Sequence, residues 1–129
     1  MKRTVDLLDQ NGTIVPTILE IEVGVRTTLS ISNGIVVQGD DVFDALQLLR
    51  RELANNGWQL LCQGSRQDVY PSRALRQSGT TKAYKSTLGR ACTRADLVDL
   101  FDPCTKEVVS TVEEQDEFNR RWLSSLGEN

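Results

Sequence analysis

The fold is decided by residues 25–38, which read VRTTLSISNGIVVQ. Polar and apolar side chains alternate from Val25 to Ile31, a period of two that is typical of a strand with one buried face. The Asn-Gly pair at 33–34 tolerates positive φ and therefore predicts the turn of a β-hairpin. A two-residue loop there would pair Ile31 with Val36 and place both on the same face.

The residues before this hairpin have the same alternation. Within residues 17–23, Leu19 and Ile21 lie on one face and Glu20 and Glu22 on the other. A strand of this kind buries the apolar face and exposes the acidic one. We therefore expect residues 17–23 to belong to the same antiparallel sheet as the hairpin.

A helix is predicted directly after the hairpin, over residues 41–56. Asp40 or Asp41 can cap its first turn, and Asn56-Gly57 provides a left-handed stop. The apolar residues follow the helical spacing i, i+4, i+7 and i+11. They are Val42, Leu46, Leu49 and Leu53.

A second long helix is predicted over residues 112–126. Thr111 and Glu114 have the spacing of a capping box, T-x-x-E, in which each side chain bonds the backbone of the other residue. Acidic residues fill the first turns and arginines lie near the end, as the helix dipole favours. The sequence also predicts two ion pairs one turn apart, Asp116 with Arg120 and Glu117 with Arg121.

These elements predict an α+β fold: an antiparallel sheet that includes the 25–38 hairpin, packed by helices near 41–56 and 112–126. A chain of 129 residues is the size of one ordinary domain, so we expect a single domain over 1–129. No apolar run approaches the roughly 20 residues of a membrane span. The N-terminus lacks the long apolar stretch of a signal peptide. We therefore expect a cytoplasmic protein without a membrane partner.

The side chains that usually carry catalysis are scarce. The chain has no histidine, which removes the commonest general base at neutral pH and the commonest metal ligand. Its three cysteines, Cys62, Cys92 and Cys104, form no C-x-x-C element for zinc or redox chemistry. We therefore expect no enzymatic activity, no metal and no cofactor.

Charge is divided between segments of the chain. Residues 57–94 carry seven Lys/Arg against Asp68 alone, whereas residues 95–129 carry nine Asp/Glu against three Lys/Arg. Two interpretations remain open. In the first, the segments neutralise each other through surface ion pairs, each of which contributes about 0–1 kcal/mol. Alternatively, the charged patches face outward and steer a partner of opposite sign.

Under the second interpretation, a partner surface would draw on charged and aromatic residues from both segments. The candidates are Arg66, Asp68, Tyr70, Arg73, Arg76, Lys82, Lys85, Asp96, Asp99 and Asp102. An alternative is a nucleotide- or RNA-binding domain that uses the basic segment 64–94. Arginine binds phosphate through paired hydrogen bonds, and tyrosine stacks on bases. The isoelectric point near 5.0 and the absence of a nucleic-acid motif argue against that alternative.

One resemblance extends from Gly57 to Trp122. It is carried by Gly57-Trp58, Gly64-Ser65-Arg66, Asp68-Val69-Tyr70-Pro71-Ser72, Lys82-Ala83-Tyr84, the run from Asp96 to Pro103, and Thr111-Val112-Glu113-Glu114-Gln115. In these residues the chain resembles a group of small bacterial proteins without an assigned activity. As a class, small acidic bacterial proteins of this type resemble immunity proteins paired with secreted toxins, such as those of contact-dependent inhibition systems. The chain departs from that group at Arg73-Ala74, where relatives often have a Gly-containing step, so the loop differs there. The resemblance implies a stoichiometric inhibitor that covers the active surface of a toxin domain, and it transfers no catalytic residue. Strand order and oligomeric state stay open.

Overall fold

Two antiparallel sheets and three α-helices make up residues 1–127, the part of the chain that this computed structural model describes. The larger sheet and its helix come first in the chain, and the smaller sheet and the last helix follow. This arrangement confirms the predicted α+β fold. The elements are β1 (Lys2–Leu8), β2 (Ile14–Val23), β3 (Thr27–Ile31), β4 (Val36–Gly39), α1 (Val42–Asn55), β5 (Gln59–Leu60), β6 (Val69–Tyr70), α2 (Arg73–Gln77), β7 (Lys82–Lys85), β8 (Leu97–Asp99) and α3 (Val112–Ser125).

The larger sheet has the strand order β4-β3-β2-β1-β5, and every neighbouring pair is antiparallel. As predicted, Leu19 and Ile21 of β2 are buried while Glu20 and Glu22 are exposed. Val23, the last residue of the strand, is 48% exposed. The buried face of the sheet and α1 enclose the main core.

The hairpin forms, but its register differs from the prediction. Ile31 N donates to Ile35 O at 3.0 Å, and Val36 pairs with Ser30 rather than with Ile31. The loop therefore has three residues, 32–34. It is stabilised by the 3.0 Å hydrogen bond that Ile35 N donates to Asn33 Oδ1 and by Gly34, which adopts φ +101°. One extra loop residue moves Val36 to the outer face, where it is 63% exposed.

The helix α1 confirms the prediction for this segment. Asp41 is the N-cap, and its Oδ1 accepts from Asp44 N at 2.8 Å. Asn56 follows the last turn, and Gly57 then takes φ +80°. The four residues of the predicted stripe are all buried, namely Val42, Leu46, Leu49 and Leu53.

The smaller sheet has the order β6-β7-β8 and is joined to the larger one through the core. Gly64 lies at this junction, in the 3-10 turn after β5, and its N–H bonds Leu100 O at 2.8 Å. A Cβ at Gly64 would overlap the Leu46 side chain and press on Leu100. The two sheets can approach this closely only because residue 64 lacks a side chain.

The helix α3 begins with the predicted capping box. Thr111 Oγ1 accepts from Glu114 N at 3.1 Å, and Glu114 Oε1 accepts from Thr111 N at 2.8 Å. The two predicted ion pairs one turn apart do not form: Arg120 instead bonds Glu117, three residues earlier, at 2.6 Å. Asp116 is unavailable to Arg120 because it faces α1 and β6, where it accepts from Gln47 and Tyr70.

No helix within residues 1–127 is both long and apolar enough to cross a lipid bilayer.

Candidate interaction surface

A groove with a volume of about 840 Å³ lies between α2, the C-terminal half of α3 and the turn that joins β2 to β3. Three of the residues predicted from the sequence to bind a partner line it, Tyr70, Arg73 and Arg76. They meet here because Ser72 caps α2 through a 3.2 Å bond from Leu75 N, which starts the short helix directly after β6.

Two walls of the groove, the β2–β3 turn and α3, present exposed apolar side chains among polar ones. Val25 is wholly exposed at the tip of the β2–β3 turn, although the alternation predicted it to be buried; the turn at Gly24 interrupts the strand before it. Leu123 of α3 is 45% exposed on the other wall. Trp122 lies beside Leu123, and its indole Nε1 donates to Arg90 O at 2.9 Å. This hydrogen bond fixes the orientation of the indole ring, so that its apolar face can contact a partner without a change of rotamer.

The floor of the groove is an ordered polar network. Arg76 Nε bonds Asp41 Oδ2 at 2.9 Å, and the guanidinium stacks 5.4 Å from the centre of the Phe43 ring. Tyr70 packs edge-on against Phe43 with ring centres 4.7 Å apart, and its hydroxyl donates to Asp116 Oδ1 at 3.1 Å. Each polar group of this floor is therefore held in place by a partner on another element.

The same contacts shift two pKa values. Burial raises the pKa of the Tyr70 hydroxyl, and the neighbouring Asp116 carboxylate raises it further. Burial disfavours the charge on Arg76, but the hydrogen bond and charge of Asp41 outweigh it and raise the pKa of Arg76. Both groups keep their protons at neutral pH, so Tyr70 acts as a donor and Arg76 as a cation.

Arg73 differs from these anchored residues. Its side chain is exposed on the rim of the groove, and it forms no ion pair with any residue from 1 to 127. Its charge is therefore free to meet a carboxylate outside the chain.

A second depression, of about 720 Å³, gathers five other predicted residues: Arg66, Lys82, Lys85, Asp99 and Asp102. Here both signs of charge meet. Arg3 reaches across from β1 and bonds Asp99 at 3.1 Å and Asp102 at 3.0 Å, while Lys82 lies 3.7 Å from Asp99. Arg66 is held by both oxygens of Asp68, at 2.8 and 3.0 Å.

Asp99 is the centre of this ionic cluster. Burial alone would raise the pKa of its carboxyl, but hydrogen bonds from Phe101 N, Arg3 and Thr81 lower it. The negative charge of Asp99 is therefore paired within the protein, with Arg3 and Lys82. Asp96 lies apart from both depressions: it bonds Arg90 at 3.2 Å and caps the turn at Thr93 through a 2.8 Å bond to the backbone. The three aspartates therefore serve internal contacts. The pairs with Arg90 and Lys82 are the neutralisation between segments that the first interpretation predicts, whereas the pairs with Arg3 were not predicted.

A buried hydrogen-bond network around Arg50 and Gln115, here called the hub, holds the loop that leads to Tyr70. Gln115 of α3 is wholly buried, and its Nε2 donates to the carbonyls of Gly64, Arg66 and Val69 at 2.8, 2.8 and 3.0 Å. Arg50 of α1 donates to Gln115 Oε1 at 2.6 Å and also to backbone carbonyls on two loops. Burial lowers the pKa of the Arg50 guanidinium. The hub ties α1, α3 and the 64–69 loop together.

Sequence reasoning did not identify Trp122, Leu123, Val23 or Val25 as surface residues. The alternation predicted Val25 to lie on a buried strand face, and the helix predicted over residues 112–126 was not assigned to a partner surface. Periodicity predicts which residues share a face, but it does not predict that a turn leaves that face uncovered. Among residues 1–127, no group of three or more Cys, Asp or Glu side chains is placed to hold a metal ion.

Comparison with protein-family models gives no match to this chain, and comparison with curated proteins gives none either.

Proposed function

We propose that this chain is a stoichiometric protein-binding inhibitor of the immunity type, which neutralises a toxin domain by covering its active surface. The observation that supports this most is the groove between α2, α3 and the β2–β3 turn, with its exposed valines and leucine, its aromatic side chains and Arg73, which has no ion pair within residues 1–127. The toxin as partner comes from the sequence resemblance.

The composition of the groove favours a protein partner. Trp, Tyr and Arg dominate the binding energy of protein interfaces, usually near the centre of the contact and within a rim that excludes water. Trp122 and Tyr70 are both held by hydrogen bonds to other elements, so little side-chain freedom is lost when a partner docks. Arg73 on the rim adds charge that speeds encounter with an acidic patch.

The second depression supports the rival, a nucleotide- or RNA-binding domain, less well. Lys82 and Lys85 lie there beside Asp99 and Asp102. A phosphate that approached these lysines would also meet two carboxylates, which opposes binding.

The proposal predicts that a gene beside this one encodes a secreted protein with a toxic C-terminal domain, and co-expression with that domain tests it. We expect wild-type chain to restore growth and to purify with that domain in a one-to-one complex. Arg73→Glu should weaken protection, because it places a carboxylate where we infer that an acidic patch docks. Arg94→Glu is the matched control: Arg94 is exposed, lies outside the groove and forms no ion pair within residues 1–127.

Two results would contradict the proposal. One is failure of the wild-type chain to protect against, or to bind, that domain. The other is binding of RNA with an affinity that falls steeply with salt, together with no binding of the toxin domain, which would favour the rival.

A further inference from the structure

The strand β4 forms one edge of the larger sheet, with β3 as its only neighbour within that sheet. Residues 35–39 read IVVQG and contain neither a charge nor a proline. Proteins usually protect an exposed edge with charged residues, prolines or bulges, which prevent pairing with another strand. β4 contains none of these, and only its short length of four residues limits such pairing.

The backbone groups that point away from β3 can be identified from the register. Ile31 N bonds Ile35 O, and bonded and non-bonded pairs alternate along an antiparallel ladder. Leu29 and Val37 are therefore a bonded pair, whereas Val36 and Gln38 direct their N–H and C=O groups outward. Within residues 1–127, only Gln38 O has a partner, a long 3.4 Å contact from Arg26.

We propose that this edge pairs with the same edge of a second copy of the chain, antiparallel about a two-fold axis through Val37. In that register, Val36 faces Gln38 of the second copy, and Gln38 faces its Val36. Both residues present outward N–H and C=O groups, so the two pairs form four backbone hydrogen bonds. A two-fold contact of this kind closes on itself and gives a dimer rather than a fibre.

The charges that flank β4 favour this arrangement. The C-terminal end of the strand carries Asp40, whose side chain is 87% exposed and lies 3.7 Å from Arg26. The other end is the uncharged turn at Asn33 and Gly34. The two-fold register places Asp40 beside Gly34 of the second copy, so the two carboxylates stay apart. A parallel pairing would bring them together.

The side chains at the contact add apolar burial. Val36 is 63% exposed in the single chain and lies on the outer face of the sheet. In the dimer it packs against the aliphatic part of Gln38 from the second copy. This proposal does not rest on the proposed function, because Val36, Val37 and Gln38 do not line the groove.

Sedimentation equilibrium of the full chain, at concentrations up to about 1 mM, tests the proposal. We expect reversible dimers in the wild type. The double variant Val36→Lys with Gln38→Lys places like charges opposite each other twice, and it should raise the dimer dissociation constant by at least about tenfold. The matched variant Val36→Lys with Gln38→Glu places opposite charges in the same positions, and it should remain within about threefold of the wild type.

Both variants change only exposed side chains, and circular dichroism is used to check that each is folded. A wild-type chain that remains monomeric over the whole range would overturn the proposal. So would equal dissociation constants for the two double variants, because that result would place the contact elsewhere. Leu123→Asp, in the groove, should dimerise as the wild type does, which separates a failure of this proposal from a failure of the inhibitor proposal.

Discussion

Arg50 Nη1 donates a 2.6 Å hydrogen bond to Gln115 Oε1 in the interior, where Arg50 is 6% exposed and forms no ion pair with a carboxylate of residues 1–127. Its other donors bond the backbone carbonyls of Gly64, Ser65 and Ser110. A buried cation that lacks a buried anion is stabilised here by oriented carbonyl dipoles. The pair therefore stabilises the loop below Tyr70 on which one side of the groove is built.

We expect Arg50→Met to lower the free energy of unfolding by about 3 kcal/mol, because it removes the buried hydrogen bonds of the guanidinium and leaves Ser110 O without its only donor within residues 1–127. Urea unfolding measures this change. Arg51→Met is the control, since Arg51 is half-exposed and its contact with Glu113 contributes about 0–1 kcal/mol. An Arg50→Met loss as small as that of Arg51→Met would contradict the role assigned to the hub.

Gly64→Ala should destabilise the fold by about 1–3 kcal/mol, the usual range for overpacking a core. The added Cβ would overlap Leu46 and press on Leu100 at the junction of the two sheets. Thermal unfolding provides the measurement. Gly24→Ala is the matched control because a Cβ there meets only Arg26 O at 3.5 Å, and it should change stability little. Equal effects of the two substitutions would show that the junction is not tightly packed.

Asp99→Asn should show a pH-dependent effect. The folded pKa of Asp99 lies below its ordinary value, so its stabilising contribution is present above the unfolded pKa of about 3.9. That contribution is lost as the pH falls through the folded pKa. The stability difference between wild type and Asp99→Asn, measured by urea unfolding, should therefore be largest at neutral pH and shrink below about pH 4. A difference that stays constant from neutral to acidic pH would contradict this account.

The three thiols should differ in reactivity. Burial, with a smaller effect of Cys62, raises the pKa of Cys104 to about 12, and burial also raises the pKa of Cys62. Only the thiolate is alkylated, so both cysteines should resist iodoacetamide at pH near 8 until the protein unfolds. Mass spectrometry should find one rapid modification, at Cys92, and none in Cys92→Ser. Rapid labelling of Cys104 in the folded protein would show that its thiol is accessible and ionised.

Much of the fold could be predicted from the sequence because local signals agree with tertiary packing. Asp41, the apolar stripe from Val42 to Leu53 and Gly57 all indicate one helix. The hairpin was predicted, but its register was wrong by one residue. That register depends on Asn33 Oδ1 bonding Ile35 N, a contact that follows from loop geometry rather than from the Asn-Gly pair itself.

The site was harder to predict because its parts are distant in sequence. Segment charges placed Tyr70, Arg73 and Arg76 together, and these residues do line one groove. The acidic set divides, because Arg3 from the first strand engages Asp99 and Asp102 while Arg90 engages Asp96. Local charge counts contain no information about Arg3, which is almost one hundred positions away in the chain. The ion pairs within the protein therefore agree with the first interpretation of the divided charge. The second, that a charged patch steers a partner, stays a prediction, for which Arg73 is the candidate because it has no ion pair among the described residues.

The measurement that tests the inhibitor proposal most directly is a calorimetric titration of the neighbouring gene's toxin domain with Leu123→Asp and with Leu88→Asp. These leucines are 45% and 42% exposed, but only Leu123 lines the groove. Burying an unpaired carboxylate in a binding hot spot should weaken affinity by at least about thirtyfold for Leu123→Asp, whereas Leu88→Asp should stay within about threefold of the wild type. Equal affinities for the two variants would show that the toxin domain does not bind in the groove.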